Sequence, residues 1–352
     1  MTQEEINEHV VGVALLQQFS LKAGLKHFGK KGEEAVTSEL TQMHTMATYE
    51  PVAPETLSQQ QKRDALRSLA FITQKRDGRV KARMCGDGRS QRRRPGYKKE
   101  DSASPTVSLE GVLLTAAIEA HKKRHVACFN IPGAFLHVKC EDGDVFMLLK
   151  GKLAELMTLV EPKLYRQHVR YDNKKGEAML YVKMSKPLYG MLKSALWFYK
   201  KLKVNLEAYG FMINPYDPCV ANTMIGGKQI TVTWRVDDLK VSHKDPSEIM
   251  KFANYLAVIY GEALTVHRGK IHDYLGMDLD YSTEGKVGVS MIKYVDKILE
   301  GFSEELGAPA AMPAAEHLFQ VWNNSEAEFL SEEKAQEFHH ITAQLLFLSA
   351  RS

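Results

Sequence analysis

The chain has 352 residues, 44% of them hydrophobic, and a formal net charge of +4, which is length enough for two or three packed domains or subdomains. Its four cysteines, Cys85, Cys128, Cys140 and Cys219, include no C-x-x-C pair, which argues against a zinc site or disulfide framework and for a reduced intracellular setting. The longest apolar runs, such as "GVLLTAAI" at 111–118, fall far short of the ~20 residues that span a bilayer, and the acidic start "MTQEEINEHVVGVALLQQ" is the reverse of a secretory signal. The expectation is a soluble protein of the cytoplasm or nucleus, away from membranes.

Residues 1–50 have a helical pattern, with apolar positions recurring at three and four spacings through "VVGVALLQQFSLKAGLKHF". "YEPVAPETLSQQQKRDALRSLAFI" then predicts a Pro-punctuated loop and a helix capped by Ser58, with an apolar face of Leu66, Leu69 and Phe71. Residues 75–99 change character: eleven Lys or Arg stand against two Asp, a local net of +9. Asp77-Gly78 predicts a turn between two short strands, hence a basic β-hairpin. The density and sign of its charge favour contact with nucleic-acid phosphates over a merely solvated loop. "LEGVLLTAAIEAHKKRH" predicts a helix with a basic end.

From 126 to 283 the texture is α/β. "VACFNI" is β-prone, and "PLYGMLKSALWFYKKLKVNLEAYGF" reads as a long helix stopped by Gly210. Gly226-Gly227 fits a hairpin turn, with no Walker-type Lys-Ser behind it. "QITVTWRVDDLKVSH" gives two strands about a tight turn, "SEIMKFANYLAVIYG" a helix, and "DYLGMDLDYSTEGKVGVSM" a hairpin around Glu284-Gly285. "IKYVDKILEGF" and "EEKAQEFHHITAQLLFLSA" are helical. His267, His272, His339 and His340 form no metal-ligand pattern and read as surface or ordinary packed residues. The chain ends directly after an apolar helical segment, as a fragment of a longer polyprotein would.

The chemistry concentrates at Asp237 and Asp238. Two adjacent ionised carboxylates repel, and desolvating them costs more still. A solvated Asp-rich turn is the bland alternative. At the tip of a half-buried hairpin the pair is best explained by a hard divalent cation that takes oxygen ligands and substrate phosphates.

The surrounding segments favour the cation. "VKARMCGDGRSQ", "FNIPGAFLHVKCEDGDVFM", "MSKPLYGMLKSALWFYKKL", "NPYDPCVA", "WRVDDLKVSH", "DYLGMDLDY" and "ITAQLLFLSA" follow one another in a fixed order. Together, over roughly residues 40–350, they resemble the copia-type retrotransposon reverse transcriptase. The resemblance implies an α+β right-hand polymerase with fingers, a ferredoxin-like palm sheet and a helical thumb. It implies an N-terminal leader at 1–39, a basic fingers-like region at 40–125 and a palm at 126–283. A fingers segment would be inserted at about 139–190, and a thumb-like region would occupy 284–352. It further implies RNA-directed DNA polymerisation, a nucleotidyl transfer with Mg²⁺ (Mn²⁺ as substitute), deoxynucleoside triphosphates and an RNA or DNA template–primer.

By resemblance, Asp237 and Asp238 hold metal, Lys81 and Arg83 reach the triphosphate, and Phe135 sits under the nucleotide sugar. Tyr189 and Gly190 pack near the nucleotide and template, and Leu275 and Gly276 lie on the strand that supports the primer end. The charge of the basic segment, not the resemblance, adds Arg92, Arg93 and Arg94 to the nucleic-acid contacts.

Two positions depart from the family pattern. Its first catalytic Asp falls at Asn130, where an amide keeps the shape but loses the negative charge that two-metal chemistry uses. Glu141, Asp142 and Asp144 lie beyond the strand and are poor substitutes. Arg235 replaces the Tyr before Val-Asp-Asp, and its cation is expected to pair with Asp237. Asn130 leaves three readings open: an inactive remnant, a retuned enzyme and a repurposed nucleic-acid-binding module.

Overall fold

The computed structural model describes residues 18–74, 78–93, 98, 102–261, 263–302, 307 and 329–351. The chain divides into two compact units, Ser20–Ser290 and a C-terminal unit beginning at Met291.

In the larger unit, helices α1 (Leu21–Phe28) and α2 (Lys30–Thr45) precede strand β1 (Tyr49–Val52). Ser58 then caps a short helix, α3 (Gln59–Asp64), through a reciprocal bond with Gln61. The expected apolar helical face does not follow. Residues Leu66–Gln74 form strand β2, in which Leu66, Ala70 and Ile72 are buried while Leu69 is exposed. Pairing decides this: β2 runs antiparallel to β3 (Val80–Gly86) and parallel to β5 (Phe146–Lys150). The period-two burial that pairing permits overrides the local helical pattern. Strand β6 (Ala178–Met184) joins β5 to β1 and completes the path β3–β2–β5–β6–β1.

Val36 and Leu40 of α2 pack into one core with Leu66, Met147 and Leu180. A domain boundary at residue 39 therefore falls inside a helix. The strands at 146–150 and 178–184 share this core with residues from before 90, although a long stretch of chain separates them. The hairpin expected around Asp77-Gly78 is present as β2 and β3, with Asp77 itself outside the described residues.

The second sheet runs β11 (Thr265–Arg268), β4 (His125–Asn130), β10 (Asp238–His243), β9 (Lys228–Arg235), β8 (Val220–Ile225) and β7 (Met212–Ile213). Helix α4 (Leu109–His121) lies across one face, and α7 (Pro246–Tyr260) packs on the other through Phe252 against Phe129. Helix α6 (Ser194–Tyr209) is shorter than expected, beginning only at Ser194, and ends at left-handed Gly210. Because Lys240 alternates with Leu239, its side chain faces α4. There its ammonium meets Glu119 Oε1 at 2.5 Å and Thr115 Oγ1 at 3.1 Å, and Tyr281 donates to Glu119 Oε2 at 2.6 Å. Helix α4 thus belongs with this sheet, and a boundary at 125 lies too late in the chain.

A three-stranded meander follows: β12 (Ile271–Tyr274), β13 (Met277–Asp280) and β14 (Gly288–Ser290). One hairpin around Glu284-Gly285 was expected. A second turn precedes it, closed by Leu275 and Gly276 at φ 56° and 84°, the two left-handed residues of a type I′ hairpin. Leu275 and Gly276 are therefore a turn and not part of a strand.

His272, on β12, is fully buried and its Nε2 has no hydrogen-bond partner among the described residues, while His267 Nδ1 lies 3.3 Å from His272 Nδ1. Burial, with His267 beside it, holds His272 below the ordinary imidazole range. Below a pH of about 6.5 the unfolded chain then binds a proton that the folded chain resists, so stability falls as pH drops. Thermal unfolding between pH 8 and 5 is expected to show this slope in the wild type and a flatter one in His272→Leu. An equal slope in both would refute the assignment.

The C-terminal unit contains helices α8 (Ile292–Glu300) and α9 (Glu332–Ser349), joined by Tyr294 packing on Phe347 at 5.0 Å between ring centres. Among the described residues no helix is long and apolar enough to cross a membrane.

Candidate functional site

The hairpin β9–β10 pairs Arg235 with Asp238, so Val236 and Asp237 form a two-residue tip. Val236 has φ 55°, while Asp237 is not left-handed, the pattern of a type II′ turn, where glycine is the usual first residue. A β-branched side chain there is strained. Val236→Gly is expected to raise stability by about 0.5–1 kcal/mol, read from the urea midpoint. An unchanged or lowered midpoint would show that Val236 contributes packing that outweighs the strain.

Strand β4 lies beside β10 with Asn130 directly opposite Asp238. The Asn130 amide donates to Asp238 Oδ1 at 3.1 Å and, more weakly, to Asp237 Oδ2 at 3.5 Å. The backbone N–H of Ile131 donates to the Asp237 carbonyl at 3.0 Å and fixes the strand end against the turn. The sheet register therefore places the three residues named from sequence in one cluster.

Asp238 is pushed above the ordinary carboxylate range, first by the protein packed around it, against the Asn130 hydrogen bond that pulls it down. Asp237 and Asp273 push in the same direction as burial, and Arg235 opposes them. Arg235 thus acts on Asp238, its cross-strand partner. The expected Arg235–Asp237 pair is not among the ion pairs of the described residues; the register sets Arg235 opposite Asp238 instead.

Tyr189 bridges this cluster to the first sheet. Its hydroxyl lies 3.5 Å from Asp237 Oδ2, and its ring packs on buried Phe135 at 4.5 Å. Burial, with Asp237 nearby, pushes the Tyr189 phenol up to about 12, so it stays a neutral donor. Arg83 stacks on the same ring, its guanidinium carbon 4.7 Å from the centroid. Lys81 and Arg83 are both exposed on β3, two residues apart and so on one face.

The chain after Tyr189 passes very close to β3: Gly86 N–H donates to the Tyr189 carbonyl at 2.8 Å. A Cβ on Gly190, whose φ is +83°, would stand 2.3 Å from the Gly86 carbonyl oxygen. Only glycine fits there.

Other expected residues lie apart from this cluster. Arg92 is exposed on the short helical turn Gly88–Arg93; Arg94 and the side chain of Arg93 lie outside the described residues. Asp142 is bound to Lys193 at 2.7 Å and Asp144 to Lys183 at 2.6 Å, while Glu141 is exposed in the same loop. None replaces a carboxylate at position 130.

Sequence reading missed Asp273, whose charge reaches Asp238 from the meander. In a strand alternating exposed and buried residues it looked like an ordinary solvated acid. It also missed the Lys240–Glu119 pair, although a lysine inside the apolar strand "DLKVSH" and a glutamate inside "LLTAAIEAH" are both signals. A charge at such positions needs a buried partner.

The donor set suits one hard cation better than two. Two carboxylates with water and substrate phosphates are an ordinary Mg²⁺ environment. Among the described residues, however, no three His, Cys, Asp or Glu converge on one point, and the amide at 130 turns N–H donors toward both acids.

A family model described as reverse transcriptase (RNA-dependent DNA polymerase) matches residues 68–315, well over half of the chain. A retrovirus-related Pol polyprotein from transposon TNT 1-94 of Nicotiana tabacum is 24% identical over 251 residues. That match covers 69% of this chain and only 17% of the relative.

Proposed function

The chain belongs to the reverse transcriptase (RNA-dependent DNA polymerase) family, and from that premise we propose that it is the fingers, palm and thumb-like region of a copia-type enzyme, retaining the template–primer scaffold while its chemistry is impaired at Asn130. The sheet carrying Asn130 and Asp238, with α4, α6 and α7, is the palm. The sheet built from β1, β2, β3, β5 and β6 is the fingers, and the C-terminal helices belong to a thumb.

The single observation that carries the reading is the Asn130 amide donating to both Asp237 and Asp238. In this reading Asp237 and Asp238 hold Mg²⁺ (or Mn²⁺), which when bound supplies positive charge at the transferring phosphoryl group. Lys81 and Arg83 face the triphosphate, with Arg83 held in place by Tyr189. Phe135 supports the sugar, and Gly190 lets the Tyr189 segment lie tightly against the fingers. Leu275 and Gly276 present their turn to the primer, and Arg92, Arg93 and Arg94 supply phosphate contacts. RNA or DNA template–primer and deoxynucleoside triphosphates are the partners.

The same observation favours a second reading, a nucleic-acid-binding module of this fold that no longer polymerises. Salt-sensitive binding of template–primer is common to both. Primer extension by the wild type and by Asn130→Asp separates them.

A further inference from the structure

At the other end of β4 from Asn130, about 17 Å along the strand, lies a pocket of 260 Å³. Its lining includes Arg124, His125, Arg268 and Lys270, with no Asp or Glu among the lining residues. Ile249 and the ring of Tyr281 contribute apolar surface. Three cations gathered around one concavity with no acid in its lining is an unusual arrangement, since cations repel and surface charges are ordinarily interspersed in sign.

Arg124 is prepared for an anion. Its guanidinium is half-buried and held by two neutral acceptors, Thr231 Oγ1 at 2.9 Å and Gln229 Oε1 at 3.0 Å. Two of its five N–H donors are used in this way, and the other three have no partner among the described residues. Its charge is thus oriented and not neutralised by a direct partner. Arg268 and Lys270 flank Gly269 in the turn between β11 and β12, where Gly269 has φ 144°, and neither side chain is in an ion pair among the described residues. The nearby carboxylates make their direct contacts elsewhere, Glu284 with Lys123, Glu119 with Lys240 and Tyr281, and Asp245 with the N–H of Ser247, although the charges of Glu284 and Glu119 also reach Lys270 and Arg124.

We propose that this pocket binds the phosphate of a small phosphate ester, the guanidinium of Arg124 and the cations of Arg268 and Lys270 holding the anion and the surface of Ile249 and Tyr281 taking the organic part. Planar, forked donors match phosphate oxygens. The volume suits a phosphate or a monophosphate ester and is too small for a stretch of duplex. The site is independent of the Asp237–Asp238 cluster and of any metal held there.

The test is calorimetric titration of the full chain in EDTA, which silences metal-dependent nucleotide binding. The probes are inorganic phosphate, a deoxynucleoside monophosphate and a short single-stranded oligonucleotide, each matched for ionic strength. Saturable one-to-one binding of the monophosphate is expected, tighter than inorganic phosphate and weakened about tenfold or more by Arg268→Ala with Lys270→Ala. Lys270→Gln alone serves if the double variant fails to fold, with a smaller loss. Three outcomes would overturn the proposal: no saturable binding of either small anion, binding indifferent to these substitutions, or binding of the oligonucleotide alone. Equal affinity for phosphate and the ester would overturn the role of the apolar wall.

Discussion

Asn130→Asp is expected to raise primer extension on an RNA template by about 10² to 10³-fold in Mg²⁺. The magnitude follows from the several kcal/mol of charge stabilisation that a metal pair contributes, at 1.36 kcal/mol per tenfold. The substitution is nearly isosteric. It exchanges an amide that donates to Asp238 at 3.1 Å for a third carboxylate at the same register position.

The metal-free variant is expected to pay for this in stability. Three carboxylates then face one another, and hydrogen bonds to charged groups worth about 1.5–3 kcal/mol are lost. Mg²⁺ should restore that loss, so the variant's melting temperature should climb with Mg²⁺ while the wild type's moves little. Extension by the wild type that Asp237→Ala abolishes would mean that the amide oxygen, or another ligand, substitutes for the missing acid. A variant that neither extends nor is stabilised by Mg²⁺ would remove the metal-binding reading of Asp237 and Asp238 altogether.

Lys240→Ala is expected to destabilise the fold by about 3–5 kcal/mol, because it strands Glu119 as a buried uncompensated charge. Both side chains are essentially inaccessible, at 0% and 1% exposure. The pair ties three elements together: α4 through Glu119, β10 through Lys240, and the end of β13 through Tyr281. Lys240→Met with Glu119→Leu should recover most of the loss, since apolar replacement of a buried pair is often neutral or stabilising. Urea unfolding of the singles and the double gives the coupling energy directly. A Lys240→Ala midpoint within 1 kcal/mol of wild type would mean that water or a rearranged Glu119 compensates. Lys240 stands two residues from Asp238 on the same face of β10, so the staple also fixes the strand that carries the acid.

The resemblance carried by ordered segments was enough to identify the family, and the hairpin "TWRVDDLKV" was legible from alternation and spacing, although its tip is Val236-Asp237 and Asp238 lies on the strand, where the sequence put both aspartates at the tip. So were the strand ending at Asn130 and helix α7. Local pattern misled at Leu66–Phe71, where a short capped helix precedes residues whose spacing suits either a helix or a strand. It misled again at Leu275–Gly276, because a leucine carries no turn signal of its own.

Residue identity was enough to show which side chains carry charge at the site and that position 130 is an amide. Those are matters of residue identity and order, and they survive any folding. The tertiary structure alone decided that Asn130 bonds both aspartates, that Arg83 reaches Asp237 through Tyr189, and that Arg235 acts on Asp238. It also decided that Lys240 and Glu119 neutralise each other in the core. Each of these joins residues from different elements, most of them far apart in the chain, and only sheet register and packing bring such groups within the few ångströms over which hydrogen bonds and buried charges act.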